Sequence, residues 1–231
     1  DDQKHPDVAV SADHRLLRDR LYGSHTDWDV AFASNAVGLA YGRDTWIADR
    51  LAAGDPWYEV VRDASAGDVA ISDPALDPLG YRAVLAFRLA AREHGLDDFA
   101  ASTLERVYQE PEEPQLLAGV ETGNRAAAVA YRNMAVAHDL PFEPFPAAYN
   151  FADPNRTETY ASVSYTTTDG YTVTGAPIVY NATVLADAAA PTAGRRFVRF
   201  LAGATDVLRE NGLTVAAFPR AHGAVPTEVL S

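Results

Sequence analysis

The chain contains no cysteine, and Lys4 is its only lysine. Without cysteine the protein has no disulfide bonds, no thiolate catalysis and no cysteine metal sites. No apolar run reaches the roughly 18 residues that a transmembrane helix needs, and the first residues lack a signal-peptide pattern. The hydrophobic share of 48% nevertheless allows an ordinary buried core, so we expect a globular α/β protein.

Basic residues are few compared with acidic ones. The sequence has 32 acidic and 19 basic side chains, for a net charge of −13, which argues against nucleic-acid binding. Abundant acid with almost no lysine is typical of proteins that stay soluble in strong salt, where screening limits self-repulsion. A high-GC genome would produce a similar bias through its codons. We favour the halophilic interpretation.

Segments with strand patterns alternate with helical ones along the chain, which predicts mostly parallel sheets with helices on both faces. The predicted strands are Val8–Val10, Ala36–Tyr41, Asp68–Ile71, Ala126–Tyr131, Tyr160–Thr166 and Tyr171–Asn181. The predicted helices are Ser11–Tyr22 with Ser11 as N-cap, Thr45–Ala53, Trp57–Asp63, Tyr81–Gly95, Asp97–Tyr108, Leu116–Glu121, Met134–His138 and Thr192–Asn211. The last of these has Phe197, Phe200, Leu201 and Leu208 near one face.

Three loops join a strand to a helix start, and helix N-termini offer free N–H groups and a positive dipole end to anions. They lie at Ser11, at Asp77–Gly80 and at Pro111–Pro114. Ligands of α/β sheets bind at such strand ends. The loops therefore predict a small-anion site, although Asp77 is itself an anion.

Several segments together resemble the archaeal molybdate/tungstate-binding proteins, the extracellular solute receptors of ABC transporters. The most specific is the block Ser72–Arg82, which contains Asp-Pro-x-Gly-Tyr-Arg at Asp77–Arg82. The others are Asp7–Asp13, Asp27–Ala33, Trp57–Glu59 and Leu116–Gly123, which leads to Tyr131.

The resemblance implies a two-lobed clamp of the type II periplasmic-binding-protein fold. One lobe would consist of residues 1–42 and 171–231, and the other of residues 43–170. The runs Ala36–Tyr41 and Gly175–Tyr180 would be the crossing strands between them. The family has an earlier strand with further donors, so we expect the first lobe to be incomplete at its N-terminus.

The resemblance also implies the ligand and the residues that hold it. The ligand would be molybdate or tungstate, with no resident cofactor and no catalysis. The oxyanion would be held by Ser11, Asp77, Pro78, Leu79, Glu113 and Tyr131. Many relatives carry a glutamate where this chain has Ala130. The protein would be a monomer at the cell surface, anchored through a segment outside this chain, and would deliver its ligand to an ABC-transporter permease.

The two acids fit such a ligand only if they bond to its metal. Helix N-termini and hydroxyl groups stabilise the oxo atoms. Hard oxygen ligands such as Asp77 and Glu113 can expand molybdenum or tungsten from four-coordination to six. Sulfur and phosphorus do not expand in this way, so the same carboxylates would repel sulfate and phosphate.

Other interpretations remain open. The protein could bind sulfate or phosphate, or it could be a sensor domain that reuses the clamp fold, although no segment resembles an output module. Asp77 and Glu113 could also be the acid/base pair of a hydrolase, although no organised nucleophile is visible. Asp77 could be a turn former, Glu113 a dipole-compensating acid, and Tyr131 a core side chain. Arg82 reads as a structural ion-pair partner. Asn155 and Asn181 begin glycosylation sequons.

Overall fold

The computed structural model describes residues 5–230. The chain divides into two compact units, unit 1 with Asp1–Asn35 and Ile178–Ser231, and unit 2 with Ala36–Pro177. Residues 1–4 and 231, which the predicted first lobe includes, lie outside the described residues. The predicted lobe boundaries fall after residues 42 and 170, whereas the units divide after residues 35 and 177.

The elements are numbered in chain order. The strands are β1 (Val8–Ser11), β2 (Trp28–Ser34), β3 (Val37–Tyr41), β4 (Val69–Ser72), β5 (Tyr108–Glu110), β6 (Ala127–Tyr131), β7 (Phe142–Pro144), β8 (Ser164–Thr166), β9 (Thr172–Thr174), β10 (Val179–Val184) and β11 (Arg220–Gly223). The helices are α1 (His14–Leu21), α2 (Trp46–Ala52), α3 (Trp57–Asp63), α4 (Pro78–His94), α5 (Phe99–Leu104), α6 (Glu113–Glu121), α7 (Arg132–Ala137), α8 (Thr157–Ala161), α9 (Pro191–Gly203), α10 (Thr205–Glu210) and α11 (Thr227–Leu230), with a 3₁₀ turn at Pro154–Arg156.

The sheet of unit 1 has the strand order β1-β10-β2-β11, and every neighbouring pair in it is antiparallel. The prediction of a mostly parallel sheet is therefore wrong for this unit. The chain leaves the unit after β2 and returns to it at β10, so these two neighbours run in opposite directions. Side chains of β2, β10 and α9 form the core, among them Trp28, Phe32, Val184 and Val198.

The main sheet of unit 2 has the order β5-β4-β6-β3-β7. Strand β4 runs parallel to β5 and β6, whereas β3 is antiparallel to β6 and β7. The parallel strands β4, β5 and β6 end at Ser72, Glu110 and Tyr131, and each is followed by a helix, α4, α6 and α7. Since parallel strands end at one edge of a sheet, this topology brings the starts of these helices to the same side of unit 2.

The predicted crossing strand Ala36–Tyr41 does not cross between the units. It forms β3, which pairs with β6 and β7 inside unit 2. The chain passes between the units at Asn35–Ala36, just before this run, and at Pro177–Ile178, which lies inside the second predicted crossing run, Gly175–Tyr180. There the N–H of Asn35 donates to the carbonyl of Ile178 at 3.1 Å.

Several other elements differ from the sequence prediction. The last long helix is broken at Ala204, where ψ is 41°, into α9 and α10. Phe197 and Phe200 do not mark its buried face, since they are 46% and 60% exposed, and Val198 packs inward instead. The helix predicted over Asp97–Tyr108 is the shorter α5 (Phe99–Leu104), and Tyr108 is the first residue of strand β5. No helix of the described residues has the length and apolar character of a membrane span.

Candidate functional site

The loop between β4 and α4 places Asp77 at the N-cap of a 17-residue helix. One carboxylate oxygen, Oδ1, accepts the N–H of Leu79 at 3.1 Å. The other, Oδ2, is buried and has no hydrogen-bond partner among the described residues. The turn-former interpretation thus accounts for one oxygen of Asp77. A buried carboxylate oxygen without a donor is costly, which indicates a role beyond capping.

The backbone of the β4–α4 loop passes so close to Gly80, in the first turn of α4, that only glycine fits there. A Cβ at this position would lie 2.4 Å from the Ser72 carbonyl oxygen and 2.6 Å from the Asp73 carbonyl carbon. Any larger residue would push the helix start away from the end of β4. Gly80 therefore fixes the position of Asp77 through backbone packing.

Glu113 is the first residue of α6, and its carboxyl group lies beside that of Asp77. Burial raises the pKa of Glu113, the charge of Asp77 raises this pKa further, and Arg82 acts against both effects. A hydrogen bond from the protonated Glu113 carboxyl to Asp77 adds to the rise, so Asp77 Oδ2 is without a donor while Glu113 is ionised. The neighbouring position Ala130 is fully buried and packs with Leu116 and Leu117 in the core. Two carboxyl groups thus meet at the N-termini of two helices, and position 130 belongs to the core.

Tyr131 ends β6, and its hydroxyl accepts a hydrogen bond from Nη1 of Arg82. The Arg82 guanidinium also lies 5.6 Å from the ring centre of Tyr131 and 5.7 Å from that of Tyr81. Burial raises the pKa of Tyr131, Arg82 opposes this rise, and the charge of Asp77 adds to it. Asp77, Arg82, Glu113 and Tyr131 therefore form one group, called here the carboxylate cluster.

Pro78 and Leu79 were predicted to help hold the ligand through their backbone. Pro78 is exposed and has no N–H to donate. The N–H of Leu79 already donates to Asp77, and the Leu79 side chain is fully buried. Their contact with a ligand stays a prediction, and the Leu79 N–H would have to be shared with Asp77.

Ser11 lies in unit 1, at the end of β1, and is not the N-cap of α1. Asp13 takes that position and accepts the N–H of Arg15 at 3.0 Å. The Ser11 hydroxyl donates to the carbonyl of Asp13 at 2.9 Å and accepts its N–H at 3.0 Å. Ser11 is still paired in the sheet, opposite Asn181, so the helix begins later than predicted. Its role as a ligand donor stays a prediction.

A small pocket of about 140 Å³ lies next to Asp77 in unit 2. One wall is the loop Pro74–Pro78 with Tyr81, and the other is the β8–β9 hairpin, which contributes Thr167, Asp169, Tyr171 and Val173. The sequence predicts strands at both arms of this hairpin but not its place beside Asp77, because the two segments are far apart along the chain. Among the described residues, no group of three or more His, Asp or Glu side chains forms a metal-ion site.

The two sequons differ in accessibility. Asn181 is fully buried and donates to Oδ1 of Asp29 at 2.9 Å, so the folded protein cannot present it to a glycosyltransferase. Asn155 is exposed in the 3₁₀ turn.

A family model described as "Bacterial extracellular solute-binding protein" matches residues 1–214. The chain belongs to this family. The resemblance predicted from the sequence is thereby confirmed at the level of the family, and the family is extracellular.

Three curated relatives match 98% of the chain. An uncharacterized solute-binding protein of Halobacterium salinarum is 53% identical, and the chain covers 74% of it. A putative ABC transporter molybdenum-binding protein of Haloferax volcanii is 40% identical, with 72% covered. The molybdate/tungstate-binding protein WtpA of Pyrococcus abyssi is 30% identical, with 73% covered. Halophilic archaea are thus among the sources of this chain's relatives.

Solved structures of binding proteins share the fold. The substrate-binding domain of a putative molybdenum ABC transporter from Clostridium difficile has a TM-score of 0.59 at 16% identity, covering 90% of this chain and 76% of that one. The periplasmic molybdate-binding protein of Azotobacter vinelandii has a TM-score of 0.54 at 17% identity, covering 90% and 78%. The predicted α/β binding-protein fold is confirmed.

Proposed function

We propose that this protein is an extracellular receptor that captures molybdate or tungstate for uptake by an ABC transporter. The observation that carries the proposal is the meeting of Asp77 and Glu113 at two helix N-termini, with Oδ2 of Asp77 buried and without a donor. The relatives named as molybdate/tungstate- and molybdenum-binding proteins support the same ligand.

The chemistry of the carboxylate cluster favours a metal oxyanion over sulfate or phosphate. Two carboxylates beside each other repel a simple dianion, and Arg82 supplies one positive charge against them. A molybdenum or tungsten centre changes this balance because carboxylate oxygens can bond to the metal itself. Asp77 and Glu113 would then complete a six-coordinate centre, and Tyr131 would donate to an oxo atom.

The remaining parts of the proposal follow from the family. Ser11, Pro78 and Leu79 are proposed as further ligand contacts. The protein acts without a resident cofactor and without turnover, as a monomer that delivers its ligand to a membrane permease. Attachment to the membrane would come from a segment outside this chain.

Calorimetric titration in strong salt tests the proposal. The wild-type protein is titrated with tungstate, molybdate, sulfate and phosphate, and the titrations are repeated on Asp77→Ala and Glu113→Ala. Glu112→Ala is the matched control, because Glu112 is exposed, precedes Glu113 and makes no side-chain capping bond to α6. We expect tight binding of tungstate and molybdate only, a large loss in both cluster variants and no change in the control.

Two results would replace this function with another. Sulfate or phosphate binding that improves when either acid is removed would mean that the carboxylates only repel, and the protein would be a receptor for another oxyanion. Absence of all oxyanion binding, with hydrolysis that depends on both acids, would favour the acid/base interpretation of Asp77 and Glu113.

A further inference from the structure

Arg82 connects two elements of the carboxylate cluster that the sequence separates by 49 residues. It lies in the early part of α4, five positions after Asp77, and donates to the hydroxyl of Tyr131 at the end of β6. Its guanidinium also lies over the Tyr131 ring, at 5.6 Å from the ring centre. Arg82 thus contacts Tyr131 through both the hydroxyl and the aromatic face.

The direction of this hydrogen bond determines what the tyrosine can do. A tyrosine hydroxyl has one hydrogen to donate, whereas a guanidinium has donors only. Because Arg82 donates to Tyr131, the hydrogen of the Tyr131 hydroxyl cannot point toward Arg82. It must point to an acceptor elsewhere, and an oxo atom of the bound ligand is an acceptor of this kind.

The charge of Arg82 acts on the same group of residues. Arg82 is the cation that lowers the pKa of both Glu113 and Tyr131, against the effects of burial and of Asp77. This interaction keeps Arg82 within the carboxylate cluster, next to the Tyr131 hydroxyl to which it donates.

We propose that Arg82 is a positioning residue for oxyanion capture, which turns the Tyr131 hydroxyl into a fixed donor toward the ligand without itself contacting the ligand. The proposal rests on the proposed function. It assigns to Arg82 a role beyond the structural ion pair that the sequence suggests.

A double-mutant cycle on tungstate affinity tests the proposal, with Arg82→Met, Tyr131→Phe and the double variant. The Tyr131 hydroxyl would donate to a charged ligand, and the free energy of such a hydrogen bond corresponds to a loss of about 30-fold for Tyr131→Phe. Losing only the orientation of this hydroxyl, in Arg82→Met, should cost less, about 10-fold. If Arg82 acts through Tyr131, the double variant should lose about 30-fold, whereas independent effects would multiply to about 300-fold.

Arg88 offers a matched control on the same helix. It donates to the carbonyl of Ser164 and lies 5.8 Å from the ring centre of Tyr165, and neither residue belongs to the carboxylate cluster. Arg88→Met and Tyr165→Phe should leave tungstate affinity within about twofold of the wild type. Thermal unfolding shows whether each variant is folded, and Arg82→Gln replaces Arg82→Met in the cycle if the latter does not fold.

Each outcome is decisive. Non-additive losses in folded variants support positioning through Tyr131. Additive losses would mean that Arg82 acts on the ligand independently, and unchanged affinity in a less stable Arg82→Met protein would mean a purely structural role; either result overturns the inference but leaves the proposed function intact. A wild-type protein that binds neither tungstate nor molybdate would overturn both.

Discussion

Each unit of this protein contains a buried or half-buried group of acidic and arginine side chains, and the two groups differ in their balance of negative and positive charge. In unit 1, Asp29 is fully buried and accepts two hydrogen bonds from Arg18, at 2.8 and 3.0 Å, and one from Asn181 at 2.9 Å. In unit 2, Asp77 and Glu113 lie together, and their cation Arg82 donates to Tyr131. The first group pairs one acid with one base, whereas the second has an excess of acid.

The difference is the one expected between a structural group and a group that binds a ligand. The charge of Asp29 is met by three donors, so this pair needs nothing from outside the protein. Unit 1 does contain a buried oxygen without a donor, Oδ1 of Asn181, but it belongs to a neutral amide. In unit 2, one of the buried oxygens without a partner among the described residues, Oδ2 of Asp77, belongs to a carboxylate beside another acid. That arrangement costs stability unless a ligand completes it.

The largest expected effect is the loss of stability on replacing Asp29 in unit 1. Asp29→Ala leaves Arg18 and Asn181 without their shared partner, and we expect the free energy of unfolding to fall by about 3 kcal/mol. Asp77→Ala removes one helix cap and should cost only about 1 kcal/mol. Urea unfolding of both variants, without ligand, measures the two losses. Equal losses would mean that Asp77 is as structural as Asp29.

Gly80→Ala is expected to have the next largest effect. The added Cβ meets backbone atoms at 2.4 and 2.6 Å, so α4 must shift, at a cost of about 2 kcal/mol. Because the shift moves Asp77, tungstate affinity should fall together with stability. Urea unfolding and calorimetric titration follow the two effects.

Gly203→Ala is the control for that substitution. Gly203 ends α9, and a Cβ there meets no heavy atom within 4 Å. We expect it to change stability by less than about 1 kcal/mol and to leave tungstate binding unchanged. A Gly80→Ala protein as stable as this control would show that the tight contact at Gly80 is not needed.

The smallest expected effect is a gain in stability, rather than a loss, when Glu113 is replaced. Because the pKa of Glu113 is raised in the folded protein, its carboxyl binds a proton more strongly there than in the unfolded chain. The ligand-free protein should therefore lose stability as the pH rises from the ordinary glutamate pKa through the raised one. Glu113→Gln removes this loss, so its Tm should exceed that of the wild type at neutral pH.

Acid pH supplies the control for this prediction. Below the ordinary pKa of glutamate, Glu113 is protonated in both states, and the Tm difference between Glu113→Gln and the wild type should disappear. Glu112→Gln, at the exposed neighbouring position, should show no comparable gain at neutral pH. A Glu113→Gln protein that is less stable than the wild type at neutral pH would mean that the carboxylate is well paired, like Asp29.

Local sequence signals predicted the strand, loop and helix start around Asp77 better than they predicted the sheets. The motif Asp77–Arg82 indicated a strand, a tight loop and a helix start, and the structure has this order. The antiparallel sheet of unit 1 depends on where the chain leaves and re-enters the unit, which no local pattern records. The same limit applies to the β8–β9 hairpin, which reaches the Asp77 loop only through the fold.

Two errors had local causes. Ser11 and Asp13 are both good N-cap residues, and strand pairing at Ser11 decided in favour of Asp13. Of the apolar side chains predicted near one face of the last helix, Leu201 packs partly against the core, whereas Phe197 and Phe200 are exposed. The buried positions are Gly194, Val198 and Ala202. Small residues give a weak hydrophobic signal, although they allow the closest packing of α9 on the sheet.

Ligation of the bound metal by Asp77 and Glu113 is tested most directly by X-ray absorption spectroscopy at the molybdenum edge of the protein with bound molybdate. We expect a six-coordinate metal in the wild type, because the Asp77 and Glu113 carboxylates add to the four oxo atoms. The coordination number should fall in Asp77→Ala and Glu113→Ala wherever molybdate still binds. A four-coordinate, tetrahedral molybdate in the wild-type protein would contradict ligation by the two carboxylates.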